Sequence, residues 1–210
     1  MKYRKLFFVL SAAGLLAACG GGGGDSAAPT AQTGAAPVDR PLTAGRTSPL
    51  VIPNPPPVPT VQVPAGTNTF TCVNVRIGAQ QIDTVFVPAG ATCVLDGTIM
   101  VGSLKAESGA VVDARNVRMN GGVQAEGVTS VVVADAVIGG SVQVKQGASA
   151  TFVGAQITGD MQFDLNRGPI IAQDNRVTGN IQIVENTGGV TLNSNVANGN
   201  LQCKQNQPAP

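Results

Sequence analysis

One short phrase returns six times in the second half of this chain: a glycine, a variable residue, an apolar residue, usually a glutamine, and another apolar residue. The copies begin at Gly102, Gly121, Gly140, Gly159, Gly179 and Gly199. The first apolar residue therefore recurs at intervals of 19, 19, 19, 20 and 20 residues, and Val85 supplies a further copy 19 residues upstream. A fixed period near 20 residues predicts a solenoid.

Each period holds two short segments in which apolar residues alternate with other residues. The second set of alternating pairs comprises Cys93/Leu95, Val112/Ala114, Val131/Val133, Ala150/Phe152, Ile170/Ala172 and Val190/Leu192. A period of two is typical of strands, and no window keeps the 3.6-residue spacing of a helix. Strands this short bury their inward residues only by stacking on the next turn, about 4.8 Å away.

The predicted fold is all-β: a single-stranded right-handed parallel β-helix of about seven coils, each of 19–20 residues. The left-handed alternative repeats an apolar residue every six positions, whereas the inward positions here have unequal offsets. Right-handed crossovers between parallel strands favour the same hand. We expect the repeat glycines at a corner that needs either a positive φ or close approach to a neighbouring coil.

The amino terminus has the features of an export signal. Lys2, Arg4 and Lys5 precede a 13-residue apolar run, too short to span a bilayer. Residues 16–19 read Leu-Ala-Ala-Cys, which resembles the lipobox of bacterial lipoproteins. That resemblance implies cleavage before Cys19 and a lipid on its thiol, and Gly20 after it implies sorting to the outer membrane. An ordinary secretory signal is the alternative.

The amino-acid composition divides the chain into four segments. The expected segments are a signal peptide at 1–18, a lipidated cysteine with a disordered Gly/Ala/Pro-rich tether at 19–66, the β-helix at 67–203 and a polar stub at 204–210. Ten of 13 basic residues remain after the signal beside 12 acidic residues. Without a basic stripe we expect no nucleic-acid partner.

The repeat is similar to small right-handed β-helices of secreted bacterial proteins and, more distantly, to the bactofilin family. The phrases carrying this resemblance are Gly-Asn-Ile-Gln-Ile-Val-Glu-Asn-Thr-Gly-Gly-Val-Thr-Leu-Asn at 179–193 and Gly-Asn-Leu-Gln-Cys at 199–203. Bactofilins are cytoplasmic and polymerise end to end. In this chain a polar stub with two prolines follows Cys203, which can blunt strand pairing without covering the apolar cross-section. Two outcomes are therefore expected from the sequence: a proline-blunted monomer or end-to-end self-association.

The outward residue between the inward pair forms a candidate recognition ladder: Gln124, Gln143, Gln162, Gln182 and Gln202. A stack of amides can hydrogen-bond to itself or present a polar face to glycan. Asp160, Asp164, Asn180 and Asn200 could supply oxygen ligands to calcium, but such residues are ordinary at corners, and we expect no metal and no cofactor.

Catalysis is not expected. Glycoside hydrolysis requires two carboxylates across a scissile bond, and neither Asp113 with Asp135 nor Asp160 with Glu185 occupies matching coil positions. The chain contains no His and no Trp.

The cysteines suit an oxidising compartment. Cys72 and Cys93 are about one coil apart, which predicts a disulfide between adjacent coils, with two buried thiols as the alternative. The pattern leaves the state of Cys203 open.

The expected function is that of a lipid-anchored envelope protein with a structural, adhesive or self-assembling role. The alternative is a glycan-binding or polysaccharide-active β-helix.

Overall fold

A computed structural model describes residues 51–208, and these form a right-handed parallel β-helix of about eight coils. The all-β prediction is confirmed, and the coil count is one more than expected. Every coil after the first visits three parallel sheets in the same order. None of the described residues forms a helix long and apolar enough to cross a membrane.

The three sheets are named here in the order in which each coil reaches them. Sheet 1 contains β1 (Thr60–Val61), β3 (Val75–Ile77), β6 (Thr92–Asp96), β9 (Val111–Arg115), β12 (Ser130–Ala134), β15 (Ala150–Val153), β18 (Ile170–Gln173) and β21 (Val190–Asn193). Sheet 2 contains β4 (Gln81–Ile82), β7 (Ile99–Met100), β10 (Arg118–Met119), β13 (Val137–Ile138), β16 (Gln156–Ile157), β19 (Arg176–Val177) and β22 (Val196–Ala197). Sheet 3 contains β2 (Thr69–Thr71), β5 (Thr84–Val87), β8 (Leu104–Ala106), β11 (Val123–Glu126), β14 (Val142–Lys145), β17 (Met161–Asp164), β20 (Ile181–Val184) and β23 (Leu201–Lys204).

The core is a set of apolar files running along the axis. In sheet 3, Val123 lies opposite Val142, and Val142 lies opposite Met161. All three are at most 1% exposed. Because side chains one period apart stack in register, each coil buries the inward residues of its neighbours, and the predicted register is confirmed.

The β-helix starts earlier than the sequence predicted. Strand β1 pairs with β3 and lies upstream of the expected boundary at residue 67. Val61 and Val63 pack against the core, and the Gln80 side chain holds this segment by accepting from Val63 N and donating to Val61 O. The signal peptide, Cys19 and the tether up to residue 50 lie outside the described residues.

The repeat glycines occupy the corner between sheets 2 and 3, and close approach explains them. None has a positive φ. A Cβ built on Gly179 would lie 2.8 Å from the carbonyl oxygen of Gly159, and one on Gly199 would lie 2.8 Å from that of Gly179. Of the two explanations left open by the sequence, crowding against the preceding coil is therefore correct.

Buried asparagines stabilise the other two corners in the carboxyl-terminal coils. Asn186 is fully buried, and its Nδ2 donates to Phe163 O at 2.8 Å. Its Oδ1 accepts from both the backbone N and the Nδ2 of Asn166, each at 2.9 Å. Asn175 and Asn195 repeat the arrangement between sheets 1 and 2. The repeat pattern did not predict these ladders, although the asparagines recur at a spacing of 20 residues in the sequence.

A proline-rich segment, residues 51–59, leads into β1, and we call it the strap. The backbone N of Arg76 donates to Pro59 O at 2.7 Å, and this bond continues the parallel ladder between β1 and β3 at the first coil. Arg115 Nη2, in the fourth coil, donates to Pro53 O. On the outer face of sheet 1, Val94 and Asp113 are only 1% and 2% exposed.

Candidate functional site

The five predicted glutamines form one continuous file on the outer face of sheet 3. Gln124, Gln143, Gln162, Gln182 and Gln202 are paired in register from one coil to the next. Lys105 and Phe86 extend the file toward the amino terminus. Its spacing is that of neighbouring strands, about 4.8 Å.

The amides of this ladder do not bond to one another. Among the side-chain hydrogen bonds of residues 51–208, none involves a ladder glutamine, although all five side chains are half-buried or exposed. Of the two possibilities left open by the sequence, hydrogen bonds between the stacked amides are therefore not found within the described residues. Each amide keeps two donors and an acceptor that solvent or a ligand can use.

A charged file runs beside the glutamines. Glu126 lies opposite Lys145, and Lys145 lies opposite Asp164. Lys145 Nζ is 3.8 Å from Asp164 Oδ2, with the lysine side chain 46% exposed. Such an exposed pair contributes little stability, on the order of 0–1 kcal/mol. The outer face of sheet 3 is thus polar along most of the rod, with mixed charge.

The residues considered as calcium ligands form hydrogen bonds between coils at a corner of the β-helix. Asp160 Oδ1 accepts from the backbone N of Asn180 at 2.7 Å and from its Nδ2 at 3.1 Å. Asn180 Oδ1 in turn accepts from the backbone N of Asn200 at 2.9 Å. Within residues 51–208, no group of three His, Cys, Asp or Glu side chains is placed to hold a metal.

Asp113 is bound by one neighbouring cation on sheet 1. Arg115 Nε donates to Asp113 Oδ1 at 2.7 Å, and Arg115 Nη2 donates to Oδ2 at 2.9 Å. The hydrogen bond to Asp113 raises the pKa of Arg115, against the lowering effect of burial. Arg115 Nη2 also donates to Pro53 O, so this pair binds a peptide segment of the chain itself.

The predicted disulfide between Cys72 and Cys93 is present, with a Cα–Cα distance of 5.6 Å. Both residues are fully buried, and the bond joins the second coil to the third. The bond lies near the amino-terminal end of the rod, where each coil has the fewest neighbouring coils. No cysteine among residues 51–208 is a free thiol, and this statement includes Cys203.

The two ends of the rod differ. At the amino-terminal end, Pro59 and Pro64 flank β1, and neither can donate a backbone hydrogen bond. At the carboxyl-terminal end, β21, β22 and β23 contain no proline. Leu201, in an inward position, is 39% exposed there, whereas Ile181 in the preceding coil is 2% exposed.

Taken together, the fold defines a protein of the right-handed parallel β-helix class. Among residues 51–208, two surfaces are candidates for binding: the glutamine ladder and the carboxyl-terminal end. No protein-family model, curated protein or solved structure matches the chain. The resemblances to lipoproteins and to bactofilins therefore stay predictions from the sequence.

Proposed function

We propose that this protein is a lipid-anchored β-helix of the bacterial cell envelope with a structural role, working through self-association of its rods. The observation that carries the proposal is the open carboxyl-terminal end. Within residues 51–208, no strand pairs with the outer edges of β21, β22 and β23, which surround a partly exposed apolar cross-section. Solenoids ordinarily require a polar cap at such an end, and uncovered edges promote association.

Self-association is tested by sedimentation velocity of the chain carrying Cys19→Ser, which removes clustering through lipid. We expect concentration-dependent oligomers, and we expect Leu201→Lys to abolish them because it places a charge in the apolar cross-section. Val101→Lys is the matched control, since Val101 is 49% exposed on the side of the rod. A monomer at every concentration would contradict the proposal.

Anchoring is a separate part of the proposal and rests on the lipobox-like residues 16–19. With several acyl chains on the amino-terminal cysteine, membrane attachment is durable. Mass spectrometry of the amino-terminal peptide should find the acyl groups on Cys19, and cell fractionation should place the protein in the outer membrane. Export without acylation would support the ordinary secretory alternative.

A second candidate function is glycan binding, favoured by the glutamine ladder whose amides make no side-chain hydrogen bonds in the described part of the chain. A row of amides repeating at about 4.8 Å suits an extended polymer with many hydroxyl groups. Binding of polygalacturonate, peptidoglycan fragments or lipopolysaccharide core sugars should be lost in Gln143→Ala/Gln162→Ala. Gln156→Ala, an exposed glutamine on sheet 2, is the control. Equal retention by both variants would rule out the ladder as the binding face.

A further inference from the structure

The charged file on the outer face of sheet 3 continues over six coils. Glu107 directly follows β8, and the later members pair in register from coil to coil. From the third coil to the eighth the file reads Glu107, Glu126, Lys145, Asp164, Val184 and Lys204. Strand alternation places it on the same face as the glutamine ladder, two positions further along each strand. The order of charge is therefore negative, negative, positive, negative, neutral and positive.

Three of these charged side chains form no ion pair within residues 51–208. The three are Glu107, Glu126 and Lys204, whereas Lys145 and Asp164 pair with each other. Glu126 and Lys204 are exposed, and Glu107 is half-buried. The two glutamates lie on adjacent coils, where like charges destabilise a sheet. The file thus keeps charges that a partner molecule can neutralise.

Read from its opposite end, the file is complementary to itself. A two-fold axis parallel to the strands and between the fifth and sixth coils places a second copy antiparallel, with this file opposite the same file. Lys145 of each copy then faces Asp164 of the other, and Glu107 faces Lys204. The remaining glutamate faces the neutral valine of the file. Because the axis makes each contact twice, four contacts among these residues join opposite charges and none joins like charges.

Other symmetric arrangements of this face lose the complementarity. A parallel second copy with this file opposite itself places every charge against the same charge. An antiparallel copy whose axis passes through the fifth coil opposes Lys145 to its own counterpart, and an axis through the sixth coil opposes Asp164 to its own counterpart. Like charges facing each other across an interface suppress such pairings. The charge pattern therefore favours the axis between these two coils.

The glutamine ladder fits the same arrangement. Gln143 faces Gln162 of the second copy, and Gln124 faces Gln182, so that amides oppose amides along most of the contact. In the described part of one chain, these amides make no side-chain hydrogen bonds. Each amide carries both donors and an acceptor, so two facing ladders can bond to each other.

We propose that a second copy of this chain docks side by side and antiparallel on the outer face of sheet 3. Six strands of four residues make a shared face about 29 Å long and about 13 Å wide, or roughly 400 Å². This area is below the roughly 800 Å² per partner of stable complexes, so we expect a weak dimer that dissociates on dilution. The contact is separate from the end-to-end oligomers that Leu201→Lys abolishes, and it does not depend on them.

Paired charge reversals test this arrangement in a parent chain carrying Cys19→Ser and Leu201→Lys, so that neither lipid nor end-to-end contact contributes. Lys145→Glu and Asp164→Lys should each raise the dissociation constant of the dimer at least about tenfold, because each variant opposes like charges. An equimolar mixture of the two variants should regain the dimer, since each reversed residue then faces an opposite charge in the other chain. Sedimentation equilibrium at high protein concentration measures all three samples.

Recovery on mixing is specific to an intermolecular contact, because neither variant regains the pair between positions 145 and 164 within its own chain. Arg118→Glu, an exposed charge reversal on sheet 2, is the matched control and should leave the dimer unchanged. Added salt should weaken the dimer by screening its charges. A mixture that stays monomeric, or a parent chain that does not dimerise, would overturn the proposal and leave glycan as the candidate ligand of this face.

Discussion

At the corner between sheets 2 and 3, neighbouring coils can stack because the repeat residue is glycine, whose side chain is a single hydrogen atom. Gly159 and Gly179 approach so closely that a methyl group on Gly179 would lie within 2.8 Å of a backbone oxygen. Backbone atoms cannot move aside as the end of a flexible side chain can. The glycine ladder is therefore a packing requirement repeated in each coil, and its regularity in the sequence follows from the regularity of the stack.

This requirement gives a direct test. Gly179→Ala should lower the free energy of unfolding by about 1–3 kcal/mol, since the added group overpacks a rigid site. Gly78→Ala is the matched control because a Cβ there meets nothing within 4 Å, and its effect should stay within about 1 kcal/mol. Urea denaturation followed by circular dichroism measures both. Equal stabilities for the two variants would contradict the crowding explanation.

The buried asparagines are a second residue-scale feature, and they act through hydrogen bonds instead of shape. Asn186→Leu should cost about 1–3 kcal/mol or more, because Phe163 O and the amide of Asn166 lose their buried partners. Asn120→Leu, at an exposed corner without a side-chain hydrogen bond, should be nearly neutral. Thermal unfolding of the two variants distinguishes these outcomes, and matching melting temperatures would argue against a stabilising ladder.

Among the elements, the first coils are the least regular and carry two added restraints. The strap links the first coil to Arg115 in the fourth, and the Cys72–Cys93 bond joins coils that have few neighbours on the amino-terminal side. Both restraints act where stacking alone supplies the least stabilisation. The proline content of the strap reduces the entropy lost when it docks.

Removing the disulfide should therefore be costly. Cys72→Ala/Cys93→Ala is expected to reduce the free energy of unfolding by about 2–4 kcal/mol, through release of the closed loop. Substitution is preferable to a reducing agent, because Cys203 is not a free thiol either. An unchanged urea midpoint would show that the first coils are held by packing alone.

For the whole molecule, stability is a sum of similar interfaces between adjacent coils. Among the described coils, the eighth stacks on one neighbour, the seventh, and its inward residues Val190, Leu192 and Leu201 are partly exposed. The third to seventh coils are enclosed on both sides. The open end is thus both the least protected part of the described rod and the surface on which proposed self-association depends.

Hydrogen exchange should show this difference directly. Amides of β21 to β23 are expected to exchange faster than those of β12 to β14, because opening the last coil breaks one interface and opening a middle coil breaks two. The measurement is made on the monomeric Leu201→Lys variant and repeated on the unaltered chain. Slower exchange at β23 in the unaltered chain would support end-to-end contact. Uniform exchange along the rod in the monomer would contradict the nearest-neighbour description.

The periodicity of the sequence by itself determined the coil length, the inward files and the register, because only one stacking keeps every alternating pair inside. A separation of one coil was enough to predict the bond between Cys72 and Cys93. The tertiary structure decided what periodicity does not encode. The contact of Arg115 with Pro53 joins residues 62 positions apart with no repeat relating them, and the unbonded amides of the glutamine ladder depend on side-chain geometry. Such features arise from packing between segments that are not copies of each other, and a repeating pattern carries no information about them.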